Sequence, residues 1–283
     1  MVFPLGTSIL FTVDVESIPL KNGTKDYSSV IDGIPLLLDL FKEFDISSTF
    51  FLTSDVAENT AYTIEEVIKR GHEIACHGAE HQLLDLNDRN KQLENIKKAT
   101  DAIRENLHVA PIGFRAPVNK VNERTLSVLT ELGYKYDSSV VPSFKILRKQ
   151  NFPKAPRTPY RPSINNICEK GQSSIIEIPI SVLPRIKLPL VFSYMLLFGL
   201  DLFKFFLSTS NQDVMMFVMH TYDLFLLPDQ VDASFGARLL YKKGRGKRCV
   251  MLRDLLEFFE IRFSPAYICA KEILDRVLAN ETN

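Results

Sequence analysis

Seven short apolar runs alternate with helical patterns along the 283 residues, and this alternation constrains the fold more than any other feature. The runs cover residues 8–13, 46–52, 73–76, 112–115, 134–141, 174–180 and 214–219. Between the first two, Ile34, Leu37, Leu38, Phe41 and Phe44 form one helical stripe over 30–44. A Thr63-x-x-Glu66 capping pattern opens a short helix that ends at Gly71. Further helices are expected over 87–107, over 122–132 before Gly133, and over 251–262 and 266–278. Strands linked by crossover helices run parallel, with the helices outside. The class is therefore α/β, as a barrel or an open doubly wound sheet. No internal repeat or linker divides the chain, so a single domain over 1–283 is expected.

Parallel α/β folds bind ligands at the carboxyl ends of their strands. Here those ends collect polar groups: Asp14-Val15-Glu16, His77-Gly78-Ala79-Glu80-His81, Arg115-Ala116-Pro117, Asp137-Ser138-Ser139 and His220-Thr221-Tyr222-Asp223. Three of the five histidines are among them. Any one of these signals is weak, since an Asp after a strand often caps a helix. Together they fit a mononuclear metal hydrolase. Two imidazoles and one carboxylate fill three positions on a metal such as zinc and leave a fourth for water. A second carboxylate then takes a proton, and a further histidine protonates the leaving group.

The series Thr12-Val13-Asp14-Val15-Glu16, His77 to His81, Arg115-Ala116-Pro117, Tyr136-Asp137-Ser138 and Met219-His220 resembles the polysaccharide deacetylases, the NodB-homology group or carbohydrate esterase family 4. The resemblance covers about 7–223 and implies a distorted (β/α)7 barrel that removes an N-acyl group, acetyl or formyl, from an amino sugar with a divalent metal, Zn2+ first. It implies that Asp14 is the general base, that His77 and His81 are metal ligands, that Arg115 orients the base and that His220 is the general acid. Asp137 is the weaker candidate for orienting that histidine. The usual motif has two adjacent Asp residues; here Val15 takes the second place, and Glu16 is the carboxylate left to complete the metal set. This D-x-E form resembles the branch acting on lipid-linked aminosugars and other membrane glycans. An allantoinase-like amidohydrolase on a small non-sugar amide, metal-free or not, and a non-catalytic glycan- or lipid-binding barrel stay open as alternatives.

Elsewhere the signals are softer. Arg157, Tyr160 and Arg161 lie in a Pro- and Lys/Arg-rich stretch, 142–171, and are candidates to grip an anionic substrate group. Residues 188–207 are densely apolar and aromatic, either a buried barrel helix or an interfacial one. Five basic residues in 242–248 form either a solvated loop or a contact with phosphate or anionic lipid. Together the two segments suggest peripheral membrane contact. No run spans a bilayer, and the N-terminus lacks a basic n-region, so a cytoplasmic location is expected. Lys plus Arg equal Asp plus Glu at 34 each, which argues against nucleic acid as the partner and leaves a carbohydrate or lipid-linked carbohydrate. The four cysteines show no C-x-x-C pair, so neither a disulfide scaffold nor a zinc ribbon is expected. The sequence sets no oligomeric state.

Overall fold

The computed structural model describes residues 7–81, 83–144, 152–225, 230–233 and 247–281. Its main sheet contains β1 (Ser8–Val15), β2 (Ser48–Leu52), β3 (Glu73–Cys76), β4 (Gly113–Phe114), β5 (Tyr136–Asp137), β6 (Ile176–Glu177) and β7 (Val214–His220). Their order is β6-β5-β4-β3-β2-β1-β7, every pair is parallel, and Ala266–Tyr267 adds to the edge of β1 beside Ser8 and Ile9. Around it lie α1 (Ser28–Glu43), α2 (Ser54–Asn59), α3 (Ala61–Lys69), α4 (Arg89–Leu107), α5 (Glu123–Glu131), α6 (Phe192–Phe198), α7 (Leu200–Ser208), α8 (Arg248–Phe263) and α9 (Ala270–Glu281). Two antiparallel hairpins, Ile18–Pro19 with Lys25–Asp26 and Pro162–Ser163 with Asn166–Lys170, sit outside the sheet.

The sheet curls as a half-barrel and does not close. Irregular chain crosses the gap between β6 and β7: Leu190 N donates to Ser181 O, and Val218 N to Leu190 O. This is the distortion of the (β/α)7 barrel. All eight residues of β1 are buried, as a strand covered on both faces must be. The stripe on α1 packs against it, with the Phe11 and Phe41 rings 5.1 Å apart and Phe11 also 4.7 Å from Phe217. Burying each such ring contributes about 1.5–3 kcal/mol.

The fifth and sixth strands are shorter than their apolar runs. Backbone groups that a longer ladder would pair are taken by polar side chains: Val140 N donates to Glu177 Oε1 at 2.9 Å, and Ser138 O accepts from Arg115 Nε at 3.0 Å. The Thr63–Glu66 pattern opens no helix; α3 already starts at Ala61, after Thr60, which makes no side-chain cap bond. Residues 266–267 are strand rather than the start of the last helix. The apolar stretch at 188–207 forms α6 and most of α7, broken at Gly199 with φ +90°. Phe192, Met195, Phe203 and Leu207 face the core, while Phe205 is 63% exposed. Among the described residues no helix is long and apolar enough to cross a membrane. Of the basic run, 242–246 lies outside the described residues, and Arg248 is buried, donating to Asp223 O and Phe225 O.

Asp137 and Glu177, register partners on β5 and β6, are both fully buried. Ser139 Oγ donates to Asp137 Oδ1 at 2.6 Å, while Asp137 Oδ2 and Glu177 Oε2 are buried without a hydrogen-bond partner, an arrangement that a shared proton would satisfy. Burial pushes both upward, and the Asp137 charge pushes Glu177 further. In the unfolded chain both titrate at ordinary values of 3.8 and 4.5. The folded pair thus holds more protons above that range, and stability falls as pH rises toward the folded titration. The pair should contribute a slope of up to about 1.4 kcal/mol per pH unit. Denaturant melts at pH 5, 6 and 7 should show a flatter dependence in Glu177→Gln, whose amide donates where the proton was. An unchanged slope would exclude a shared proton.

Candidate active site

The carboxyl end of β1 carries two acids two residues apart. Alternation puts Asp14 and Glu16 on one side of the strand and Val15, wholly buried, in the core. Across the sheet, β3 runs into His77, whose backbone N donates to Leu52 O at 2.7 Å. The chain then turns through Gly78 at φ +75°, Glu80 at +51° and His81 at +52°. A Cβ at Gly78 would meet Asn95 Oδ1 at 3.2 Å and Pro117 Cδ at 3.3 Å, so the turn has little room for another residue. Ion pairs from Glu80 to Lys25 at 3.0 Å and to Lys98 at 2.7 Å pin this turn. It returns His81 over the strand ends, with its ring centroid 5.6 Å from that of His77.

Ligand atoms of Glu16, His77 and His81 all lie within 4.8 Å of one another. His77 Nδ1 is 2.8 Å from Arg115 O, an acceptor, so Nδ1 carries the proton and Nε2 keeps its lone pair. Glu16 Oε2 is buried and lies 2.7 Å from His81 Nε2, an ion pair when the imidazole is protonated. A divalent cation bound here would take the place of the His81 proton between the two atoms. Burial would raise the Glu16 carboxyl, but His81 outweighs it and holds Glu16 far below its ordinary value. Burial lowers His77, keeping it neutral, as a ligand must be. These donors fit a divalent metal.

Arg115 is fully buried beneath this cluster and spends its guanidinium on it. Nη1 donates to Asp14 Oδ1 at 2.6 Å and Thr12 Oγ1 at 3.0 Å, Nη2 to Ser138 Oγ at 3.0 Å, and the group lies 4.0 Å from the Phe51 ring centroid. Burial pushes Asp14 up, but Arg115, His77 and His220 together hold it below the ordinary carboxylate range. Val118, directly after Pro117, adopts φ +56°, a strained conformation for a β-branched side chain, and is half-exposed.

On the other side, β7 ends at His220, beside Asp14 in register. Asp223 Oδ2 accepts from His220 N at 2.7 Å and lies 3.2 Å from His220 Nδ1. Burial opposes the charged imidazole, but Asp223, Glu16 and Asp14 prevail and raise it to about 9, so His220 holds a proton at neutrality.

Residues 24–136 match the family model described as polysaccharide deacetylase. The match spans about two-fifths of the chain, which over that part is similar to the polysaccharide deacetylase family. The chain is 28% identical over 109 residues to a peptidoglycan deacetylase of Helicobacter pylori, covering 38% of this chain and 37% of that one. It is 30% identical over 100 residues to a peptidoglycan-N-acetylglucosamine deacetylase of Bacillus cereus, covering 35% and 46%. The chain thus spans less than half the length of these curated relatives. A solved structure of a candidate polysaccharide deacetylase from Mycobacterium smegmatis superposes with a TM-score of 0.68 at 20% identity, over 99% of this chain and 94% of that one, a likeness of fold.

In this chain, Asp14, Glu16, His77, His81, Arg115 and His220 come together at the strand ends. Asp137 does not reach His220. It is tied to Ser139 and Glu177 inside the sheet, and Asp223 holds the histidine instead, because a turn three residues long brings it back. Tyr160 and Arg161 are not placed to grip substrate. The Tyr160 hydroxyl donates to Ile167 O at 2.6 Å. Arg161 binds Glu281, Ser173 O and Ser174 O, and these serines precede β6, at the amino ends of the strands, opposite the site. Arg157 is exposed on the same loop, and the structure does not bring it into the cluster. Tyr222 and Arg248 join the site's frame, although the sequence marked Tyr222 only as part of a strand-end series and Arg248 only as the last of five basic residues. An Arg that follows four basic residues reads as solvated or as part of an anion contact, and a Tyr beside a motif His has no periodicity to mark it.

Proposed function

We propose that the chain is a metal-dependent hydrolase that removes the N-acetyl group from amino sugars of a peptidoglycan- or chitin-type glycan. The observation that carries this is the Glu16–His77–His81 donor set flanked by an ionised carboxylate on one side and a protonated imidazole on the other. Glu16, His77 and His81 would hold the metal. When bound, a divalent cation supplies Lewis acidity toward the amide carbonyl and toward water.

The remaining work falls to this chain's own groups. Asp14, kept ionised by Arg115, accepts the proton of the attacking water. Its position is fixed because the Arg115 fork is itself held at Thr12 and Ser138. His220, charged and held through Asp223, gives its proton to the sugar nitrogen as the C–N bond breaks. A C–O bond forms, and the products are acetate and a free amine. The acids and the histidine are buried or nearly so, which strengthens each of these interactions.

The zinc-loaded protein should release acetate from N-acetylglucosamine oligomers or peptidoglycan, with one new primary amine per acetate. Enzymatic acetate detection together with amine labelling checks this. Metal-loaded, folded protein that releases no acetate from either glycan would refute the assignment.

A further inference from the structure

We propose that Tyr222 is a positioning residue that makes Glu16 a one-oxygen metal ligand. This inference rests on the metal-binding reading above. The Tyr222 hydroxyl donates to Glu16 Oε1 at 2.7 Å. That bond takes one oxygen and leaves the buried Oε2, 2.7 Å from His81 Nε2, as the atom directed at the imidazoles.

The hydroxyl is fixed from two directions. The Tyr222 ring stacks on His220, with centroids 4.7 Å apart and planes 12° from parallel. Its backbone belongs to the short 3-10 turn Thr221–Leu224, which Asp223 caps at His220 N and Arg248 binds at Asp223 O.

The need for such a clamp follows from the Glu at this place. Glutamate has one more rotatable bond than aspartate, so an unheld carboxylate can swing. One destination is His220, whose Nε2 is already 3.9 Å from Oε1. A Glu16 turned that way would pair with the proton donor and withdraw from the metal. By occupying Oε1, Tyr222 keeps the ligand and the proton donor apart while its ring sets the plane of His220. Partners of this kind, which hold a ligand's other atom, set affinity as well as orientation.

Tyr222→Phe retains the stacked ring and removes only the hydroxyl. Competition with a chromophoric chelator should show zinc bound about 10–100-fold more weakly than by the parent. Melting of the metal-free protein should be unchanged. In a Glu16→Asp background the same substitution should have little further effect, because the shorter carboxylate does not reach the hydroxyl. That non-additivity separates action through Glu16 from a general loosening. Parental zinc affinity in Tyr222→Phe, or equal losses in both backgrounds, would overturn the role. A folded parent that takes up no zinc would instead overturn the metal reading, and this inference with it.

Discussion

Asp14→Asn and His220→Ala should each lower turnover on an N-acetylated glycan by about 10²–10⁴, the usual cost of losing a well-placed general base or acid. The two losses have different origins. Asn at 14 keeps an oxygen for Arg115 Nη1, so the 2.6 Å contact has a replacement acceptor, but an amide does not take the water's proton. Ala at 220 removes the imidazole that Asp223 keeps charged, so the amine must leave without a proton. His220 is on the rim, with its side chain 16% exposed, and its removal leaves the core packing of β7 in place. Circular dichroism should therefore find both variants folded. An activated ester, whose leaving group needs no proton, should be cleaved by His220→Ala with a much smaller deficit than the amide. Near-parental turnover of the amide by His220→Ala would remove this residue from the reaction, and the same result for Asp14→Asn would remove the base.

Much of this was legible because a strand is a simple device. Residues that alternate, such as Asp14, Val15 and Glu16, reveal their facing from sequence alone, and the carboxyl end of a parallel strand has a known side. The stripe on α1 reports its buried face for the same reason. Legibility fails where a contact depends on distant chain. Arg248 reaches the His220 turn from the start of α8, and sequence shows only its basic neighbours. Tyr160 and Arg161 looked available because loops usually lie open. Here the loop folds back against β6 and α9 and uses their groups itself. The short fifth and sixth strands failed differently. Their apolar residues are buried as expected, but Arg115 and Glu177 claim the backbone groups a ladder would have used.

His77→Ala should abolish zinc binding, and of the three ligands it should do so most completely. Its Nε2 is free because Nδ1 is committed to Arg115 O, so the ring is oriented before any metal arrives. His81, by comparison, comes from a turn and is partly exposed, with Glu80 holding it through Lys25 and Lys98. Losing one of three protein ligands leaves two, too few for a stable zinc site in competition with a chelator. The most direct test is elemental analysis of chelator-washed, zinc-reloaded protein after gel filtration, parent beside His77→Ala. The account predicts near-stoichiometric zinc in the parent and background zinc in the variant. Equal zinc in both, or none in a folded parent, would contradict a metal centre at Glu16, His77 and His81.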